Sequence, residues 1–151
     1  MAARSLGEAG PRRSAAALAD LFELPEAPAW TSRYNFAPAQ VVPTLLRPAP
    51  DSGRQFRLLH WGLIPSWAED PRIGNRLINA RAETVATKPI FRRAFRERRC
   101  LILADGFYQW QRQDRRRQPF YIRLRDGRPF AFAGLWHDGP SDAMRNVMTW
   151  S

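Results

Sequence analysis

The sequence predicts an α+β fold of mostly antiparallel strands curled around one core. Apolar residues make up 44% of the 151 and aromatics 12%, which argues for a packed core and against disorder. A chain of about this size hides roughly 70% of its unfolded surface on folding. Helical spacing is confined to two short stretches, whereas period-two alternation broken by Asp-Gly turns fills the second half. No repeat or linker interrupts the pattern, so residues 1–151 are expected to form a single domain.

Taken in order, Arg12 to Leu24 is predicted to be an amphipathic helix with Ser14 as N-cap. Leu18, Leu21 and Phe22 share its apolar face, and Pro25 and Pro28 stop it. Arg33 to Leu46 is extended, and Pro38 and Pro43 restrict it to an edge strand or ribbon. Asp51-Ser52-Gly53 is a turn, and Gln55 to Leu59 with Trp61 a strand. Trp61 to Asp70, WGLIPSWAED, reads as an ordered loop, and Leu77 to Ala80 as a short extended piece. Glu83 to Arg99 is helical in its second half, with Pro89 in the first turn and Ile90, Ala94 and Phe95 on one face. Leu101 to Ala104 and Phe107 to Gln111 are strands around an Asp105-Gly106 turn. Gln113 to Gln118 is a basic loop, and Asp126-Gly127 joins Phe120–Leu124 to Phe130–Trp136 as a hairpin. Together these make a β-meander. The tail from Asp138 is polar and ends without a closing element, which leaves an unpaired sheet edge; either another strand is missing, the expected case, or this tail covers the edge.

Composition narrows the function. No apolar run reaches the ~20 residues of a membrane helix, and the first ten residues carry no secretory h-region. One cysteine, Cys100, excludes an internal disulfide and a multi-cysteine zinc site. The expected setting is cytoplasmic, with no membrane and no cofactor. Lys+Arg is 24 against 14 Asp+Glu, a formal +10, and every cation but Lys88 is arginine. The guanidinium fork grips phosphate with two donors and stacks on bases, so nucleic acid is the leading partner. A genome bias towards arginine accounts for the choice of Arg but not for the excess over acids.

Six phrases, read together, resemble one family. They are Arg33-Tyr34-Asn35-Phe36-Ala37-Pro38, Trp61-Gly62-Leu63-Ile64-Pro65-Ser66-Trp67, Ile78-Asn79-Ala80-Arg81-Ala82-Glu83-Thr84, Arg98-Arg99-Cys100-Leu101-Ile102, Ala104-Asp105-Gly106-Phe107-Tyr108-Gln109-Trp110 and Ala131-Phe132-Ala133-Gly134-Leu135-Trp136. Their order and spacing, over about Ala17 to Trp136, are similar to the SOS-response-associated peptidase (SRAP) family of abasic-site processing proteins. The resemblance implies an α+β domain with a β-barrel-like core and a groove for single-stranded DNA. In the family an N-terminal cysteine, freed by removal of the initiator Met, captures the deoxyribose aldehyde as a thiazolidine. An Asn, a Glu and a His assist, and the same cysteine is thought to cut a leader peptide. No metal or organic cofactor is implied.

By the same resemblance, Asn79 takes the place of the Asn that polarises the ring-opened sugar, an amide being able to donate and accept without changing charge. Arg81 takes that of a phosphate-gripping Arg. Trp67 and Trp110 flank the groove, and Asn35 with Pro38 shapes the strand edge beside it. Bland alternatives stand next to these: a turn Asn, an Arg81–Glu83 ion pair, core tryptophans. Trp61 and Trp136 are expected in the core, and the arginines of 92–99 and Arg112, Arg115, Arg116 and Arg117 either contact phosphate or face water.

Three departures fall on the chemistry. The chain opens Met1-Ala2-Ala3-Arg4 where the family has Met-Cys-Gly-Arg, and Cys100 reads as a buried structural thiol. Gln109 fills the family's Glu slot and cannot titrate. The His of the family's His-Asp-Arg-Met-Pro phrase is not reached; His137 and His60 fall outside that pattern. A reduced chemistry would use the Ala2 α-amine, whose pKa of roughly 7.7–8.0 leaves part of it nucleophilic at neutral pH, to form a reversible imine. The expected function is therefore abasic-site processing by a divergent or truncated, monomeric member acting on single-stranded DNA. The alternatives are a catalytically dead single-strand-binding module or a gene fragment without function.

Overall fold

The computed structural model describes residues 2–4, 15–26, 36–65, 68–113, 116–138 and 145–150. In chain order its elements are β1 (Ala2–Arg4), α1 (Ala15–Phe22), β2 (Val41–Leu46), β3 (Gln55–Trp61), a 3-10 helix (Pro71–Arg76), β4 (Asn79–Ala80), α2 (Ala82–Val85), α3 (Pro89–Glu97), β5 (Arg99–Ala104), β6 (Gly106–Gln113), β7 (Arg116–Ile122), β8 (Phe130–Asp138) and β9 (Arg145–Trp150). The result is the expected α+β fold with mostly antiparallel pairing. Its residues fall into two units, Met1–Ala37 with Leu103–Ala131, and Pro38–Ile102 with Phe132–Ser151. Among the described residues no helix is long and apolar enough to cross a membrane.

The first unit holds a three-stranded sheet in the order β1-β6-β7. Helix α1 ends at Phe22, two residues earlier than predicted, and residues 12–14, Ser14 among them, and Pro28 lie outside the described residues. It buries Leu18 and Ala19 but leaves Leu21 exposed, so the apolar face is narrower than the spacing suggests. The helix ends before Pro25 is reached. Glu23 adopts a left-handed φ of 52°, Leu24 N–H bonds Ala19 O at 2.8 Å and Glu23 N–H bonds Asp20 O at 3.4 Å. That is a Schellman closure with Glu in the position where Gly is usual.

The two predicted Asp-Gly turns are present, but neither joins strands that pair as the expected meander requires. Asp105-Gly106 does not pair β5 with β6; it switches the chain from the six-stranded sheet to the three-stranded one. Tyr121 makes the switch tight. Its hydroxyl donates to the buried Asp105 carboxylate at 3.3 Å, and a Cβ on Gly106 would lie 2.4 Å from its ring. Asp126-Gly127, with Gly127 at φ 68° and its N–H bonded to Leu124 O, returns the chain to the larger sheet. Turn chemistry dictates a reversal of direction, not which strands then pair. Nor is 113–118 a basic loop: β6 and β7 pair down to Gln113↔Arg116, with Arg112↔Arg117 and Gln111↔Gln118 as rungs. Polar residues on both faces of that ribbon erase the alternation that marks a strand.

The second unit is built on a sheet in the order β3-β2-β5-β8-β9-β4, and β3 also pairs with β9. Five strands thus close into a ring, with β4 added to β9. The closing strand is Arg145–Trp150, inside the tail expected to lack one: it runs antiparallel to β8 and parallel to β3 and β4. Of the two alternatives for the edge after Trp136, the one found is that the tail itself covers it. β2 is likewise not an edge strand, since it lies between β3 and β5. Pro43 is tolerated there by phase. Trp61 N–H bonds Gln40 O at 2.8 Å, so alternate pairs from Gln40–Trp61 onwards carry the β2–β3 bonds, and Pro43↔Leu58 is a non-bonded pair. The missing N–H faces β5, whose ladder with β2 begins one residue later, at Thr44↔Ile102.

A core cluster joins the helices to this ring: Leu63, Ala80, Val85, Phe91, Ala94 and Leu135 are all buried together, with Leu77, Ile90 and Phe95 packed against them. Trp61 and Trp136 are 2% and 4% exposed, as expected of core tryptophans. Helix α3 starts with Pro89 in its first turn, as predicted, and turns Phe91 inward, which the sequence reading omitted.

Candidate nucleic-acid interface

Asn79 and Arg81 come together on one surface. Burial alternates across Asn79, Ala80 and Arg81: the outer two are exposed and Ala80, 5% exposed, enters the core cluster. Arg81 keeps an extended backbone (φ −81°, ψ 132°), so period two carries its side chain to the same face as Asn79. Immediately after it the chain turns into α2, whose Thr84 and Val85 N–H groups bond Arg81 O at 3.1 and 2.9 Å. The peptide between amide and guanidinium is thereby clamped at both ends, by β4 pairing with β9 and by the first turn of α2.

The clamp continues backwards into the Trp61-Gly62-Leu63 phrase. The Trp61 indole N–H donates to Ile78 O at 3.1 Å, and Leu63 N–H donates to Leu77 O at 2.9 Å. Gly62, at φ 139°, lies against Gly74, the last glycine of the 3-10 helix; a Cβ there would be 2.5 Å from Gly74 O. That helix is capped by Asp70, which accepts from Arg72 N–H at 2.9 Å and from the Arg72 guanidinium. These bonds hold the Asp70 carboxyl below its ordinary pKa. Two phrases separated by a loop in sequence therefore form one rigid support under Asn79. Spacing alone does not disclose this support; the glycines and the tryptophan are its signals in the sequence.

The alternative reading of Arg81 as the partner of Glu83 is not seen. Both are exposed, and among the described residues the Arg81 guanidinium has no ion pair. The arginines of 92–99 divide. Arg93 pairs with Glu97 at 3.1 Å; Arg98 pairs with Asp138 at 2.8 Å and lies 5.1 Å from the centre of the Trp136 ring. Arg92, Arg96 and Arg99 are exposed.

In the first unit, Gln109 and Trp110 are both exposed on β6, Trp110 to 54%. Being adjacent on a strand, they point to opposite faces of the β6–β7 ribbon, Gln109 opposite Phe120 and Trp110 opposite Pro119. One groove wall cannot use both from the same face. Ala2 is registered opposite Tyr108, next in sequence to Gln109, so β1 does reach the Gln109 strand. Pro38 and Ala39 form the turn leading into β2, Ala39 at φ 68°, with Ala39 N–H bonded to Trp61 O. Trp67 and Asn35 lie outside the described residues.

Cys100 is the one thiol of the sequence; it is buried, and desolvation pushes its pKa far above the ordinary 9.0. It is no nucleophile. The two histidines occupy one row of the ring, His60 on β3 and His137 on β8, each registered with Asn146 of β9. The His137 Nδ1 contacts Asp138 O, and the His60 Nδ1 is buried without a hydrogen-bond partner among the described residues.

A ring of five strands with a short strand–helix junction that displays Asn79 and Arg81 makes this an α+β protein with a partly closed, mostly antiparallel barrel. The solved structures that resemble it bear out the fold. One protein of Bordetella bronchiseptica matches with a TM-score of 0.76 at 20% identity, covering 99% of this chain and 70% of that one. A phage-related protein of the same organism matches at 0.71 and 22%, covering 100% and 68%. The family model described as "SOS response associated peptidase (SRAP)" matches residues 1–150, and the chain belongs to that family. Among its relatives, the abasic site processing protein YoqW of Bacillus subtilis (strain 168) is 46% identical over 104 residues, 68% of this chain and 46% of that protein. The abasic site processing protein YedK of Escherichia coli (strain K12) is 34% identical over 113 residues, 75% of this chain and 48% of that protein. The abasic site processing protein HMCES of Xenopus tropicalis is 38% identical over 99 residues, 59% and 30% respectively. The chain spans about half the length of the bacterial relatives it matches.

Proposed function

We propose that this chain recognises abasic sites in single-stranded DNA at the Asn79–Arg81 edge, with the Asn79 amide on the opened sugar and the Arg81 guanidinium on a neighbouring phosphate. The observation that carries the reading is the shared outward face of these two side chains on a junction braced by Trp61, Gly62 and α2. Support comes from relatives named for abasic-site processing and from the formal +10 of the sequence. Trp110 offers an exposed ring on which an unpaired base could stack, worth about 1–3 kcal/mol per base. Gln109 can hydrogen-bond a sugar hydroxyl but cannot move a proton. A stable thiazolidine is not part of the proposal, because the thiol at Cys100 is buried.

The test is binding of a labelled single strand, with and without one abasic site, across a salt series, with a denaturing gel run in parallel. Arg81→Ala should weaken binding to any strand and lower the slope of log K against log salt by about one phosphate's worth, roughly 0.7. Asn79→Ala should cost affinity only on the abasic strand. Equal affinity of the parent chain for intact and abasic strands would favour instead a general single-strand-binding module. A band that survives denaturation after borohydride would add imine chemistry at an amine, such as that of Ala2, to the recognition proposed.

A further inference from the structure

We propose that α3 carries a second contact for the DNA backbone, a phosphate track made by Lys88, Arg92 and Arg96; this rests on the DNA-binding reading above. The three residues are spaced four apart, so they follow one flank of the helix, each about 6 Å further along its axis. The other flank is occupied differently: there Arg93 is neutralised by Glu97. Phe91 and Ala94 take the buried face between the two flanks. All three cations of the track are exposed, and among the described residues none has an ion pair.

Two of these choices work against the helix itself. Lys88 is the N-cap, makes no side-chain capping bond, and sets a cation at the positive end of the helix dipole, where Ser, Thr, Asp or Asn would stabilise it. Arg92 and Arg96 are like charges at i and i+4, a mildly repulsive pair. Only Arg96, in the last turn, suits the dipole. Local costs accepted on one flank, with a compensated ion pair on the other, point to a polyanion that supplies the missing negative charge. A nucleic-acid strand does so, at one phosphate per 3.4 Å or so of stacked helix and more when unstacked.

The experiment compares the full chain with Arg92→Gln/Arg96→Gln and with a charge-matched control, Arg93→Gln/Arg128→Gln, whose arginines are already paired with Glu97 and Asp126. Glutamine keeps helix propensity at these exposed positions, and circular dichroism checks the fold. The probes are intact and abasic single strands of about 20 nucleotides, longer than the ~4–16 that one small module covers. The track variant should lower the salt slope by about 1.4, at ~0.7 per phosphate, equally on both strands, while the control changes it little. Equal loss in the track variant and the control, or no loss in the track variant, overturns the inference. Loss with Arg81→Ala but none with the track variant leaves the Asn79–Arg81 reading standing alone. Loss with the track variant but not with Arg81→Ala keeps the track and removes that reading. A parent chain that binds neither strand overturns both.

Discussion

At Gly62 a methyl group would sit 2.5 Å from the Gly74 carbonyl oxygen, on a backbone whose φ of 139° disfavours any side chain. Gly62→Ala is therefore expected to lose at least about 2 kcal/mol in a denaturant titration, from strain plus displaced backbone. Ala39 presents the converse case. It holds φ 68° with a Cβ, directly after Pro38, where a type II turn favours Gly. Ala39→Gly should stabilise the fold modestly, by up to about 1 kcal/mol in a denaturant titration, because relief of left-handed strain exceeds the added chain entropy. Cys100 sets a pH limit. Its pKa is raised in the folded state, so the folded chain holds the proton while the unfolded chain releases it, and stability falls as pH climbs past 9.0. The slope from this one group is about 1.4 kcal/mol per pH unit, and Cys100→Ala should flatten it in denaturation curves taken on the alkaline side. Cys100, Trp61 and Trp136 were legible as buried because apolar residues inside strand phrases have few other places to go. Leu21 was not: helical spacing lists candidates for the inner face, and packing chooses Leu18 and Ala19.

The recognition proposed above rests on the β4–α2 junction with the Trp61 phrase beneath it. Trp61→Phe keeps most of the buried area but removes the N–H that holds Ile78 O. It should cost about 1 kcal/mol through the lost hydrogen bond and, more tellingly, weaken binding to the abasic strand in the salt series above. Unchanged binding with lowered stability would show that the indole supports the fold without orienting Asn79. The outward pairing of Asn79 with Arg81 was readable from the sequence because one apolar residue between two polar ones fixes the face. The β6–β7 hairpin tip was not, since glutamines and arginines on both faces carry no period. The central position of β2 was missed for a different reason. A proline forbids one ladder bond on one side, and whether that side is occupied depends on how far along β2 the ladder with β5 extends.

Across the second unit, β9 touches three other strands: β8, β3 and β4. A chain stopped after Asp138 should expose the edges of all three, and size-exclusion chromatography should find it aggregated or unfolded. A soluble, cooperatively melting product would mean that the ring tolerates opening. This strand escaped the sequence reading because RNVMTW follows a polar stretch and its partners are distant in sequence, whereas the hairpin from β2 to β3 announces itself locally. The same arrangement has a temporal side. Asn79 and Ala80 are registered with Thr149 and Trp150, so β4 can pair with β9 only after synthesis has passed residue 150. A nascent or prematurely ended chain would carry the arginines without the strand pairing that holds Asn79 and Ala80 in place.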